Sequence, residues 1–322
     1  MILVHLKQLL DQWIARLNTF LDVSVDDIGQ FGGGKRKQTG IIDVATIQSL
    51  GRKGVVNDIV AEYGHLVVDE CHHISARIFE IVARQCKAKY VTGLSATVIR
   101  KDGHHPIIFM NCGPVRFKVD DKKQAAARPF AHKVIVRETN FRMPASFDAD
   151  HFNAIHEIYE ALSKSNERNQ VIVSDVMNSI KNNRFPVILT ERVEHLEILK
   201  SLLENEIQHL IVMKGGMGKK QRLNAINILE SLPDDSEKAL LATGRYLGEG
   251  FDEDRLDTLF LTLPISWRGT LNQYAGRLHR IHNSKKEVMI YDYVDLNVPV
   301  LSRMYDRRLK GYRSIGYEIG DD

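Results

Sequence analysis

In the segment HLVVDECHH, two carboxylates, Asp69 and Glu70, follow the apolar run Leu66 to Val68 without a break. Such a run reads as a buried strand, and the carboxyl end of a strand in an open α/β sheet is where ligands bind. One carboxylate there can hold Mg²⁺, directly or through water. Its neighbour can orient a water for attack on a γ-phosphate. The plainer alternative is a strand end closed by two solvated acids. A second apolar run, Tyr90 to Leu94, ends on Ser95, Ala96 and Thr97 in GLSAT. In TLNQYAGRLHR, the spacing of Gln273, Arg277 and Arg280 places them on one helix face, and Gly276 leaves room for another backbone. Arginines aimed at a triphosphate can stabilise charge on a transferring phosphoryl group; the alternative is a solvated basic face.

Thr243 and Gly244, in ATGRYLGEGFD, pair a hydroxyl with an unhindered backbone amide, groups that bind the phosphates of a nucleic-acid backbone. The competing reading is a glycine-rich turn with nothing bound. A metal reading also has to be weighed, because Cys71, His72, His73, Cys86, His104, His105 and Cys112 are soft ligands within one stretch. No C-x₂₋₄-C or H-x₃₋₅-H pair occurs among them, which argues against structural zinc.

The elements that must carry these residues alternate between β and α. Strands are expected at Ile2 to Val4, Ile41 to Ala45, Leu66 to Val68 and Tyr90 to Leu94, with an amphipathic helix over Leu6 to Leu21. A Gly- and Lys-rich stretch, Ile28 to Gly40, is expected to be a loop, and Asp120 to Pro129 a linker. The second half repeats the rhythm. Strands are expected at His132 to Arg137, Val187 to Thr190, His209 to Met213, Ala239 to Ala242, Thr258 to Thr262 and Val288 to Tyr293, with helices between them. This pattern is that of parallel sheets with helical crossovers. The expected organisation is an α/β domain over 1–125, a second over 130–305, and a polar tail over 306–322 without assigned structure.

Taken in order, these segments resemble the motifs of superfamily-two DExH-type helicases and translocases, over roughly Ile2 to Asp295. VVDECH is similar to the Walker B motif, GLSAT to the third motif, ATGRYLGEGFD to the fifth and Q-x-x-G-R-x-x-R to the sixth. LVHLKQLLDQW resembles motif Ia, DVATIQSL the nucleic-acid motif that follows it, and VILTERVEHLEIL motif IV. DECH and QYAGRLHR are closer to the DNA-repair and restriction-type branch than to the DEAD-box RNA branch.

The resemblance implies two tandem RecA-like domains and an ATP- and Mg²⁺-dependent motor on nucleic acid, DNA in preference to RNA. It assigns Asp69 to Mg²⁺, Glu70 to water activation, and Gln273, Arg277 and Arg280 to the triphosphate. His72, Gly248, Glu249, Gly250 and Asp252 would face the nucleotide cleft. Ser95, Ala96 and Thr97 would couple phosphate state to grip. His5, Lys7, Gln8, Thr46, Gln48, Arg100, Thr190, Lys214, Gly215, Thr243, Gly244 and Arg245 would touch nucleic acid.

One component departs from the pattern. A nucleotide-driven motor needs G-x-x-x-x-G-K-[ST], whose amides, lysine and hydroxyl hold phosphates and Mg²⁺. Gly29 to Arg36 satisfies the glycines and lysine but places Arg36 where a hydroxyl is required, and Gly215 to Lys220 also lacks the hydroxyl. Both read as backbone-contacting loops, with Gly33, Gly34, Lys35, Lys37, Lys214 and Gly216 near nucleic-acid phosphates. The expectation is a chain that lacks the first strand, the phosphate loop and its helix, and that is inactive by itself. The alternatives are a non-hydrolysing binding or regulatory piece and a motor subunit of a larger restriction or defence assembly.

Bulk properties fit an ordinary soluble protein. The 322 residues carry 44 Lys and Arg against 41 Asp and Glu, a net charge of +3, so any polyanion grip must come from local charge. Three unpatterned cysteines and the lack of a membrane-length apolar run point to a cytoplasmic location.

Overall fold

The computed structural model describes the chain except residues 53–54, 57, 73–81, 83–84, 97–105, 149–152, 245–252, 266–267 and 321–322. Two compact units form, Met1–Lys118 and Val119–Asp322. The division falls just before the segment expected to link them. Asp121–Ala127 (helix α4) belongs to the second unit, its first turn capped by the Asp120 carboxylate on the Lys122 and Lys123 amides.

The first unit is built on a six-stranded sheet in the order β3-β2-β4-β1-β7-β8. Its strands are β1 (Ile2–Val4), β2 (Ile28–Gly32), β3 (Lys35–Lys37), β4 (Ile42–Thr46), β7 (His65–Val68) and β8 (Tyr90–Gly93). A separate small hairpin holds β5 (Gly51–Arg52) and β6 (Val55–Val56). All pairings in the main sheet are parallel except β2 with β3. Alternation along the strands fills both faces. Leu3, Ala45, Leu66 and Val68 join one apolar cluster, whereas Ile2, Val4 and Val44 join another under helix α1 (Lys7–Phe20).

Ile28 to Gly40 is therefore not a loop. Ile28 and Phe31 are buried, and the turn at Gly33 and Gly34 takes positive φ values of 64° and 89°, which glycine adopts without a Cβ penalty. The glycine–lysine stretch is a hairpin tip, with no helix following it.

The second unit has a seven-stranded, all-parallel sheet in the order β11-β12-β10-β13-β14-β9-β15. The strands are β9 (Ala131–Glu138), β10 (Pro186–Thr190), β11 (His209–Met213), β12 (Lys238–Thr243), β13 (Thr258–Leu261), β14 (Glu287–Val294) and β15 (Glu318–Gly320). Val187, Leu189, Leu240 and Leu259 face one core cluster; Ile188, Leu241 and Phe260 face the other. Both faces are covered, as parallel sheets require.

The segment expected as an unstructured tail completes this sheet. The helix α10 (Pro299–Ser314) buries Leu301, Met304 and Tyr312, and β15 pairs with β9 through Ile319 opposite Val134. Its polar composition concealed this because its buried cation, Arg308, pairs with an acid of β14. The Arg308 Nε donates to Asp292 Oδ2 at 2.8 Å, and the Tyr312 hydroxyl donates to the same oxygen at 2.9 Å. Buried ions are tolerated when paired in this way.

Candidate nucleotide and nucleic-acid sites

In the first unit, β1, β2, β4 and β7 run parallel, so their carboxyl ends share one sheet edge. The acids lie there. The Asp69 N–H donates to Leu3 carbonyl at 2.9 Å, which continues the β7–β1 ladder one residue past the strand. Asp69 Oδ1 accepts the Glu70 N–H at 2.9 Å, and Oδ2 accepts the Trp13 indole N–H at 2.8 Å. Trp13 otherwise packs on the apolar cluster under α1. Its indole nitrogen needs an acceptor when covered, which was the available signal.

Glu70 has φ of 47°, in the left-handed region that costs a residue with a Cβ about 1 kcal/mol. Glu70 Oε2 lies 3.2 Å from His72 Nδ1, which lies 2.7 Å from Ser95 Oγ. Glu70, His72 and Ser95 thus come together from the ends of β7 and β8. The Cys71 N–H donates to Leu94 carbonyl at 3.0 Å, tying the two strand ends.

Each Asp69 oxygen keeps a second lone pair beyond its protein hydrogen bond. That fits Mg²⁺, which takes one or two carboxylates and completes its octahedron with water and phosphate. No group of three or more His, Cys, Asp or Glu side chains able to hold a metal occurs among the described residues.

Beside the acids on the same edge lies a second cluster. The Lys7 side chain packs over Gly33 at the hairpin tip, and Thr46 lies against Gly32. Gln48 Nε2 donates to the His5 carbonyl at 3.0 Å, joining the segments after β1 and β4. Lys7, Gly33, His5, Thr46 and Gln48 are thereby gathered, with Lys7 and the β3 lysines Lys35 and Lys37 exposed. Thr46 is buried and serves the packing of this edge more than its surface. Gln8 lies in the first turn of α1.

In the second unit, β10 and β12 end side by side, Thr190 opposite Thr243. Thr190 is 1% exposed, and its hydroxyl lies 3.0 Å from His195 Nδ1, whose Nε2 meets Asn169 Oδ1 at 2.9 Å. The Thr190 hydroxyl is thus turned into the core, where it braces the end of β10. Thr243 is buried too, but its hydroxyl has no hydrogen-bond partner among the described residues.

The next residue, Gly244, is hemmed by the Tyr274 hydroxyl and the Glu191 carboxylate, both closer to a hypothetical Cβ than real contacts allow. Tyr274 donates to Glu191 Oε1 at 2.7 Å. Burial, then the Glu191 charge, pushes the Tyr274 phenol well above its ordinary pKa. Residues from three separated segments meet here, and neither Glu191 nor Tyr274 had been singled out as a partner of Gly244.

Tyr274 lies in helix α9 (Arg268–Leu278), with Gln273 and Arg277. The expectation that Arg280 extends their helical face is corrected, since α9 ends at Leu278. The buried Lys285 ammonium captures the last carbonyls, of Leu278 and Arg280, both at 2.9 Å. Burial lowers the Lys285 pKa to about 8. Gly276 is exposed, with no other atom near a hypothetical Cβ.

Lys214 and Gly215 follow β11 in a turn that closes with the Gly218 N–H on Gln221 Oε1 at 3.0 Å, and the Lys214 ammonium pairs with Glu197. Thr97, Arg100, Arg245, Gly248, Glu249, Gly250 and Asp252 lie outside the described residues, as do His73, His104 and His105.

Residues 1–100 match the family described as type III restriction enzyme, res subunit. L396 of Acanthamoeba polyphaga mimivirus, which carries the name of an ATP-dependent RNA helicase, is 25% identical over 321 residues, 98% of this chain and 59% of that protein. Over its length the chain is similar to superfamily-two helicases. The DNA 3'-5' translocase XPB2 of Sulfurisphaera tokodaii is 21% identical to this helicase-like chain over 332 residues, 91% of the chain and 71% of that protein. Among solved structures, S. cerevisiae Dbp5 bound to RNA and ADP BeF3 matches with a TM-score of 0.65 at 13% identity, covering all of this chain and 76% of that one. That likeness shows the fold, two parallel-dominated RecA-like units in tandem. The helicase-like chain thus spans between about half and three-quarters of the proteins it matches along its length.

Proposed function

We propose that this chain is the bulk of an ATP-driven motor that moves on nucleic acid, with DNA as its substrate. The observation that carries the reading is the shared sheet edge of the first unit, where Asp69, Glu70, His72 and Ser95 lie beside Lys7 and the Gly33 hairpin tip. One group set suits a nucleotide and its attacking water; the other suits backbone phosphates. Bound Mg²⁺ would neutralise charge on the phosphates, and Asp69, fixed by Trp13, would hold it. Glu70 would orient the water, while Arg277 and Arg280 would stabilise transition-state charge and Gln273 would hydrogen-bond the triphosphate. The DNA preference draws support from the translocase relative and from DECH and QYAGRLHR. The match to a restriction res subunit favours work within a larger assembly. A cytoplasmic setting is in keeping with the unpaired cysteines, and no described helix is long and apolar enough to cross a membrane.

A second reading, a nucleic-acid-binding piece that does not hydrolyse ATP alone, has one observation in its favour. The Gly29 to Arg36 stretch is a β-hairpin, and Gly215 to Lys220 is a turn into a helix without the needed hydroxyl, so neither forms a phosphate loop. The chain by itself should therefore bind nucleic acid but turn over no ATP. Anisotropy of labelled single- and double-stranded DNA and RNA should show binding that weakens about a hundredfold between about 50 and 200 mM salt, as for about four phosphate contacts. Binding indifferent to salt would sink the backbone-phosphate reading, tighter RNA binding the DNA preference, and robust ATP hydrolysis the second reading.

A further inference from the structure

Next to the acidic edge, two thiols meet across a glycine. Cys71 follows Glu70 directly and is buried, while Cys112 is the last residue of the helix α3 (Pro106–Cys112) and is partly exposed. The two sulfurs converge on one point beside the end of β8. Gly93, at the end of β8, explains how both fit. A Cβ there would stand 3.0 Å from the Cβ and the Sγ of Cys112 and 3.2 Å from the Sγ of Cys71. Any other residue would have to push the sulfurs away. The third cysteine, Cys86, packs on the same apolar cluster, but its sulfur accepts the Ala88 N–H at 3.4 Å.

We infer that Cys71 and Cys112 are a reversible thiol–disulfide modification site, oxidised by hydroperoxides. Closing the bridge brings the sulfurs to about 2 Å of each other, a movement for which Cys112 is placed at a helix end. The more exposed Cys112 sulfur, as thiolate, attacks a peroxide oxygen. The O–O bond breaks, water or an alcohol leaves, and Cys112 becomes a sulfenic acid. The Cys71 sulfur then attacks the Cys112 sulfur, the S–S bond forms, and the sulfenic oxygen departs as water with the Cys71 proton. The two sulfurs lose two electrons and the peroxide gains them. A dithiol reductant reverses the bridge by exchange. The bridge would fasten the turn that carries Glu70 to the end of α3. Its effect on ATP turnover rests on the function proposed above, whereas the bridge itself does not.

The test is sulfur chemistry on the reduced 322-residue chain. Hydrogen peroxide near equimolar with the protein is added, remaining thiols are alkylated under denaturing conditions, and peptides are mapped by mass. The expected result is loss of two of the three thiols, a cross-linked Cys71–Cys112 peptide, alkylated Cys86, and recovery of all three thiols with dithiothreitol. C86S should keep the bridge, and C71S and C112S should each abolish it. Gly93→Ala should slow its formation at least several-fold; since that variant risks misfolding, C86S carries the decision. Three thiols still alkylated, separate sulfinic acids, or a bridge through Cys86 would each overturn the assignment. None of these outcomes depends on nucleotide or nucleic acid, so they separate from failure of the motor reading.

Discussion

Glu70 shows what a single residue at this edge is arranged to do. Its left-handed backbone brings its carboxylate to His72 and leaves Asp69 free to be fixed from the other side by Trp13. A strained conformation of this kind persists only where its surroundings hold it. Here the Leu94 carbonyl on Cys71 and the Leu3 carbonyl on Asp69 grip the backbone on both flanks. An amide in place of the Glu70 carboxylate keeps the shape but accepts no proton and orients water poorly. In a protein that joins this chain to a phosphate-binding loop, Glu70→Gln should lower ATP turnover by about 10²- to 10⁴-fold while nucleotide still binds. Steady-state hydrolysis beside equilibrium binding of a labelled nucleotide decides it. Turnover within a few-fold of the parent would remove Glu70 from the role of activating group.

At the scale of elements, the ends of β10 and β12 and the flank of α9 are joined through one hydrogen bond and one glycine. Tyr274 donates to Glu191, and Gly244 fills the space that remains. The end of β12 and the helix carrying Gln273 and Arg277 are therefore in mechanical contact within the second unit. A methyl at position 244 must displace the phenol, the carboxylate or the strand end. Overpacking of this kind costs about 1–3 kcal/mol. Gly244→Ala should lower the denaturant midpoint of the second unit accordingly and weaken nucleic-acid binding. An unchanged midpoint would show that the Glu191–Tyr274 pair yields at no cost and joins nothing.

For the molecule as a whole, acid is the condition to which the second unit should respond. Burial, followed by neighbouring cations, depresses three histidines there: His132 to about 4, His195 to about 3 and His279 to about 2. His279 holds the Tyr317 hydroxyl at 3.0 Å and His195 bridges Thr190 to Asn169, so both are packed neutral. In the unfolded chain each takes up a proton near pH 6.5. Between that pH and the folded values the unfolded state binds more protons, so stability falls as pH falls below about 6.5. At about pH 5 the loss is roughly 1–2 kcal/mol for each histidine. Unfolding free energies from denaturant titrations at about pH 7 and pH 5 should differ by about that sum, with the midpoint falling accordingly, and His279→Gln should reduce the difference. Equal midpoints would mean these rings are charged or exposed when folded.

The sequence alone determined what depends on neighbours along the chain. Apolar runs marked the parallel strands other than β2 and β15 to within a residue or two, the acids and hydroxyls at their ends were visible, and helices such as Lys7–Phe20 followed from period. Arg280 was misplaced because a helix end is decided by what meets its carbonyls, and Lys285 meets them from beyond the turn. The Gly33 hairpin was hidden because three glycines read as a loop until β4 offers a partner. The region after Asp306 was hidden because its buried cation, Arg308, is satisfied by Asp292, an acid outside it. Trp13 with Asp69, Glu191 with Tyr274 and Gly244, and Cys71 with Cys112 each join residues that no local pattern relates. Such pairs arise only when parallel strands bring their ends to one edge, so tertiary structure decided them.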